Sequence, residues 1–218
     1  MSEPQLLTTL NDKVAPEHTA LLIIDMVNDF VHPEGKTASR AGRDTAASLA
    51  VVPSQQRVRE AARAAGVTTL LVQHTTLPDH ASDSGPWLEA RRRATFSVED
   101  VCLDGTWGQG FLEGTGPVDG DLVVRKHRYS AFAGTSLDLL LRSRGIRTVV
   151  LAGVSTNSCV EATAREAFSL DYYVLYVEDA CASWDMDLHR ATLASADRRY
   201  AQVIDTDAMV AAWSGEGR

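Results

Sequence analysis

The chain has few cysteines, no long apolar run and no surplus of positive charge, and each shortage removes a class of protein. Its three cysteines, Cys102, Cys159 and Cys181, are odd in number, far apart and without a C-x-x-C pair. They outline no disulfide framework and fit a reducing compartment. No run of 18 apolar residues occurs, and the opening MSEPQLLTTLNDK has no apolar signal core. A membrane span and a secretory leader are therefore not expected, and a cytoplasmic location is. With 21 Lys and Arg against 29 Asp and Glu, the net charge is −8. An acidic surface repels phosphate backbones, so nucleic acid is excluded as an expected partner and any basic binding site must be a local pocket. Linkers, internal repeats and low-complexity tracts are also missing, which leaves one domain over residues 1–218 with a core at about 20–205.

What the chain does have is an alternation of short apolar runs with longer helical patterns. Ala20–Asp25 (ALLIID), Thr68–Gln73, Leu122–Arg125, Thr148–Ala152, Tyr172–Val177 and Ala201–Asp205 read as six strands. Helices are predicted at Pro53–Ala65, with Gly66 just past its end, and at Thr135–Arg144, closed by Gly145. Further helices are predicted at Thr156–Leu170, Met186–Arg199 and Ala208–Trp213. From His74 to about Gly120 the pattern is irregular, with Pro78, Pro86 and the turn-rich run DGTWGQGFLEGTGPVDG. A loop that long covers a site or contacts a partner. The alternation predicts an α/β fold whose mostly parallel sheet is covered on both faces, and ligands gather at the carboxyl ends of such strands.

Three reactive side chains stand at those ends, and each has a plainer reading beside the chemical one. Cys159 lies early in the helix expected from Thr156, where a hydroxyl cap, free amides and the positive end of the helix dipole would favour a thiolate. It is equally a small buried hydrophobe. Asp25 ends the first strand, where a carboxylate can carry a thiol proton to a leaving amine, or simply bond the amides of a turn. Lys126 follows the third strand and would hold both groups charged, or would extend its head to solvent. Taken together they form a nucleophile, an acid/base and a cation at one sheet edge, a set able to cleave amides.

The segments LLIIDMVNDF, VVRKHRYSAF and LAGVSTNSCVEATAREAF, in that order and at that separation, resemble the three signature segments of the isochorismatase-like cysteine hydrolases. The resemblance runs from about Ala20 to Asp205. It implies a three-layer α/β/α sandwich with a six-stranded parallel sheet, assembled as a homo-oligomer (dimer or tetramer). It also implies a catalytic triad of Asp25, Lys126 and Cys159, and a cis peptide between Val154 and Ser155. The backbone amides of Ser155 and Cys159 would then form the oxyanion hole. The metal-binding branch of the family carries an Asp-x-His pair after the first strand. None occurs between Asp25 and His74, so neither a metal nor a cofactor is expected. The presence of Cys159 favours acyl transfer over vinyl-ether hydrolysis, which needs no thiol. KHRYSAF and SLDLLLRSRGIRTVV look most like ureidoacrylate and N-carbamoyl amidohydrolases.

The expected activity is thus thiol-dependent cleavage of a C–N bond in a small amide, ureido or N-carbamoyl compound. The rivals are a family hydrolase of another bond, such as a vinyl ether or lactam, and a catalytically silent assembly partner. Asn28, His74 and Tyr129, each just past a strand end, are the candidates for holding the substrate; local turn bonding is the plainer use of each. Trp87, Trp107 and Phe111 would line a lid or a subunit contact. The run Arg91–Arg93 would attract an anionic substrate or form a solvated helix face.

Overall fold

A computed structural model describes residues 6–93 and 100–215. Six strands form one sheet: β1 (Thr19–Ile24), β2 (Thr68–His74), β3 (Leu122–Lys126), β4 (Thr148–Val154), β5 (Tyr173–Ala182) and β6 (Gln202–Ile204). Their order is β3-β2-β1-β4-β5-β6, and every neighbouring pair is parallel. The chain winds outward from β1 to β3, then crosses back to β4 and winds the other way. The switch point therefore lies between β1 and β4.

β1 shows why the sheet is central. All six of its residues, TALLII, are buried. Alternate side chains feed two separate cores, because successive residues of a strand face opposite ways. Ala20, Leu22 and Ile24 join one cluster with Leu137, Leu141, Val160 and Leu193. Leu21 and Ile23 join the other with Val58, Ala62, Met209 and Trp213. The two faces are covered by helices α1 (Val52–Ala65), α3 (Leu137–Arg142), α4 (Glu161–Ser169), α5 (Met186–Arg199) and α6 (Thr206–Ser214), and a further helix, α2 (Gly85–Arg92), lies in the segment after β2. Of these, α1 and α6 belong to the second cluster, and α3, α4 and α5 to the first. This is the three-layer α/β/α sandwich expected from the sequence, with an all-parallel sheet.

At the switch point β4 approaches β1 very closely. Gly153 pairs with Ile24 and adopts φ 121°, and a Cβ placed there would sit 2.1 Å from the Ile24 carbonyl oxygen. Only glycine fits such a contact. On its other side, the β4–β5 register jumps between Leu151↔Tyr176 and Gly153↔Cys181, so β5 carries a bulge. The bulge explains why β5 runs on to Ala182, beyond the Val177 read from the sequence.

Other differences from the expected elements have local causes. Helix α3 begins at Leu137 because the Thr135 hydroxyl accepts the Leu137 amide at 3.1 Å ahead of the first turn. Within the irregular stretch from His74 to Gly120, of which 94–99 lie outside the described residues, α2 is present. The Ser84 side chain caps it by accepting the Trp87 amide. Among the described residues, no helix is long and apolar enough to cross a membrane.

Candidate active site

The carboxyl ends of β1, β3 and β4 converge at the switch point. Asp25 follows β1 directly, in a left-handed conformation with φ 57°, and its amide donates to the Val72 carbonyl of β2 at 2.9 Å. Lys126 is the last residue of β3 and pairs with His74 at the end of β2. Its Nζ lies 2.7 Å from Asp25 Oδ2, with both side chains fully buried. The same ammonium donates to Cys159 Sγ at 3.3 Å and to the Arg128 carbonyl at 3.1 Å. His74 Nδ1 lies 3.5 Å from the same Nζ, so four polar groups surround its three hydrogens. Lys126 thus links Cys159 to Asp25.

Burial dominates the electrostatics of this cluster. It pushes the Asp25 carboxyl above its ordinary 3.8, against the pull of the Lys126 ammonium and of hydrogen bonds from Lys126, Cys159 and the His74 amide. It pushes the Cys159 thiol up to about 12; the Lys126 charge opposes that rise and the Asp25 charge adds to it. Burial also works against the Lys126 ammonium, but Asp25 and Cys159 outweigh it and raise this group above 10.5. Burial therefore favours the neutral thiol, while the Lys126 ammonium is held charged. Removing the sulfur from water works against the thiolate expected from the helix end.

The turn that carries Cys159 also differs from the expectation. The Val154–Ser155 peptide is cis. Residues Thr156–Val160 form a wide π-type turn that leads into α4, a form common at functional sites. The Thr156 hydroxyl does not cap the turn; it is hydrogen bonded to His189 Nδ1 at 2.8 Å. The Ser155 carbonyl accepts the amides of Ser158 at 3.0 Å and Val160 at 3.2 Å. The Ser155 hydroxyl is tied at 3.0 Å to that of Ser183, which in turn donates to Asn157 Oδ1 at 2.6 Å.

Cys159 opens onto a cavity of about 300 Å³ whose wall includes Phe30, Arg43, His74, Arg91, Tyr129, Ser155, Asn157, Ser183 and Trp184. That volume suits a small molecule. A larger open groove of about 1130 Å³ runs past Arg147, Tyr173 and Gln202 at the amino ends of β4, β5 and β6, remote from the reactive groups.

Of the three residues expected to hold substrate, two line the Cys159 cavity. His74 is buried and its imidazole is held well below its ordinary value, by burial first and then by the Lys126 and Arg91 charges. Arg91 Nη1 lies 3.1 Å from His74 Nε2. A guanidinium can only donate, so Nε2 is the acceptor in this contact. Tyr129 is 42% exposed at the mouth, edge-on to Trp87 with ring centroids 4.9 Å apart. Asn28 is not brought to this cavity. Its amide donates to the Trp107 carbonyl at 2.8 Å, and it faces a separate depression with His32, Trp107 and Phe111. Its side chain joins the long segment to β1, which is the structural use of a buried amide. The sequence reading did not single out Arg43, Asn157, Ser183 or Trp184. Arg43 comes from coil and Ser183 and Trp184 from just past β5, with no motif to mark them, whereas Asn157 stands in the segment that carries Cys159.

A parallel sheet that gathers a thiol, a carboxylate and an ammonium at its switch point is the framework of a cysteine-dependent hydrolase, and comparison with known proteins gives the family. A family model described as the isochorismatase domain matches residues 19–208. The ureidoacrylate amidohydrolase RutB of Azorhizobium caulinodans is 36% identical, over 77% of this chain and 77% of that protein. The N-carbamoylsarcosine amidase from Thermoplasma acidophilum is 31% identical, with a TM-score of 0.71 over 87% of this chain and 97% of that one. A cysteine hydrolase from Pseudomonas syringae pv. phaseolicola 1448A is 24% identical and shares the fold, with a TM-score of 0.83 over 99% of each chain. The chain belongs to the isochorismatase family.

Proposed function

We propose that the protein is a cysteine-dependent amidohydrolase that cleaves a C–N bond of a small ureido, N-carbamoyl or amide compound through a thioester intermediate. The observation that carries this reading is the buried contact of Lys126 Nζ with Asp25 at 2.7 Å and with Cys159 Sγ at 3.3 Å. One buried cation contacts both the thiol and its proton acceptor beside a cavity. The similarity to a ureidoacrylate amidohydrolase and an N-carbamoylsarcosine amidase supports the substrate class.

In this mechanism Asp25 takes the Cys159 proton as sulfur attacks the carbonyl carbon. The raised Asp25 carboxyl is a better acceptor than an exposed one. The Lys126 ammonium, already donating to sulfur, holds the negative charge that develops there. The amides of Ser155 and Cys159 receive the oxyanion, an interaction worth about 3 kcal/mol per donor. Asp25 then passes the proton to the leaving nitrogen as the C–N bond breaks. The enzyme is left as a thioester, or a thiocarbamate from a ureido compound. Water attacks that carbon, gives its proton to Asp25, and sulfur leaves and takes the proton back. A released carbamate decomposes to carbon dioxide and ammonia, or to carbon dioxide and an amine where its nitrogen is substituted and ammonia was the first leaving group.

Ammonia release from N-carbamoyl acids, ureidoacrylate-like compounds, biuret, nicotinamide and simple amides tests the reaction directly. Turnover is expected among the ureido and carbamoyl compounds and is expected to vanish in Cys159→Ala. Turnover that survives this substitution would remove the thiol from the mechanism.

A further inference from the structure

We infer that Arg91 anchors the substrate by a carboxylate, so that the compound hydrolysed is an anion, a short ureido or N-carbamoyl acid. This rests on the hydrolase reading above and narrows its substrate class.

Arg91 stands in the last turn of α2 and is only 8% exposed, whereas Arg92 and Arg93 beside it are exposed. Its guanidinium is held on two sides. Nη1 donates to His74 Nε2 at 3.1 Å, and the plane lies 5.2 Å from the Trp87 ring. Trp87 is itself fixed by Arg128, 5.1 Å from the same ring. Among the described residues no carboxylate lies within ion-pair distance of Arg91. This sets it apart from the other deeply buried cations. Lys126 has Asp25. Arg59, also 8% exposed, has Asp121 and the carbonyls of Thr115 and Gly116. A guanidinium taken out of water without a counter-charge is costly, and it offers five N–H donors of which His74 uses one. Arg91 lines the cavity that holds Cys159.

The surroundings agree in sign. Arg43 lines the same wall, 5.4 Å from the Trp184 ring. The carboxylate on that wall, Asp185, is already accepting the amides of Asp187 and Leu188 at 3.0 Å each. The cavity is thus a positive pocket in a chain of net charge −8, a local basic site of the kind that the composition requires if an anion is to bind. Arg91 and Lys126 approach opposite nitrogens of one imidazole, and Lys126 touches the sulfur. The anchor therefore stands about one ring beyond the reacting cluster, the span of a short acid whose carbamoyl carbon meets Cys159.

The test compares N-carbamoyl-β-alanine with its methyl ester, reading ammonia from the carbamoyl group. The native enzyme is expected to favour the acid by about 100-fold in kcat/KM, the scale of one charge-assisted pair. Arg91→Met should lose that preference, mainly through KM, with the fall for the acid exceeding any fall for the ester by at least about tenfold. Arg91→Lys should restore part of it. Equilibrium binding of both compounds to Cys159→Ala, with and without Arg91→Met, gives a readout that does not need turnover. The acid should bind more tightly than the ester, and only when Arg91 is present. Equal handling of acid and ester by the native protein would overturn the inference. So would an Arg91→Met that weakens both alike, the mark of a residue that merely orients His74. Failure of the hydrolase reading looks different, because no compound would then release ammonia in a Cys159-dependent way.

Discussion

Asp25 and Lys126 neutralise each other where water does not reach, so neither charge can be removed without stranding the other. This has a consequence for pH. The active form needs an ionised Asp25, and burial raises that group above 3.8 while Lys126 pulls it down. As pH falls through the raised value Asp25 takes up a proton and activity is lost, so the acid limb of kcat/KM should lie above the ordinary carboxylate range. Lys126 is raised above 10.5, so the plateau should extend well into the alkaline range. Lys126→Met removes the opposing pull and should move the acid limb upward, with activity reduced about 100-fold or more because the developing thiolate loses its cation. A pH–rate profile of both proteins checks this. An acid limb that stays put in Lys126→Met would contradict the coupling. Much at this scale was legible in the sequence, since Asp25, Lys126 and Cys159 stand at strand ends in recognisable segments and the structure brings them into contact. The burial that raises the Cys159 thiol was not legible, because a position at a helix end does not say how far the sulfur is removed from water. Arg91 was legible only in part. A run of three arginines does not say which one is buried, although Trp87 four residues earlier on the same helix face was a usable signal.

At the scale of elements, the site depends on β1 and β4 touching at Gly153. The chain between Gly153 and Cys159 turns through the Val154–Ser155 peptide and the π-type turn, so the sulfur is placed relative to Asp25 by how closely these strands approach. Gly153→Ala would put a methyl group 2.1 Å from the Ile24 carbonyl oxygen, at a φ of 121° that alanine rarely adopts. It should cost about 3 kcal/mol or more of stability and disable the site as the strands part. Urea unfolding checks the first effect, and a loss below about 1 kcal/mol would show that the contact relaxes easily. Strand positions were readable because buried parallel strands are unbroken apolar runs, as in ALLII and TVVLA. Their ends were less so. The bulge in β5 depends on its neighbour, and the π-type turn depends on Thr156 bonding His189 in α5 rather than its own helix amides. Both are tertiary effects that no local pattern records.

At the scale of the molecule, the doubly wound sheet collects residues from far apart in the chain at a single edge, with an acidic exterior around a positive cavity. The sheet's class followed from strand–helix alternation. The cavity wall did not, since Phe30, Arg43, Arg91 and Trp184 come from separate segments that only the folded chain assembles. The central claim is that acyl transfer passes through the Cys159 sulfur, and the most direct measurement is acid quenching during turnover of a carbamoyl substrate followed by peptide mass analysis. The expected result is a mass increase equal to the transferred acyl or carbamoyl group on the peptide containing Cys159, absent in Cys159→Ala together with ammonia release. Turnover with Cys159 unmodified at every quench time, and retained in Cys159→Ala, would contradict it.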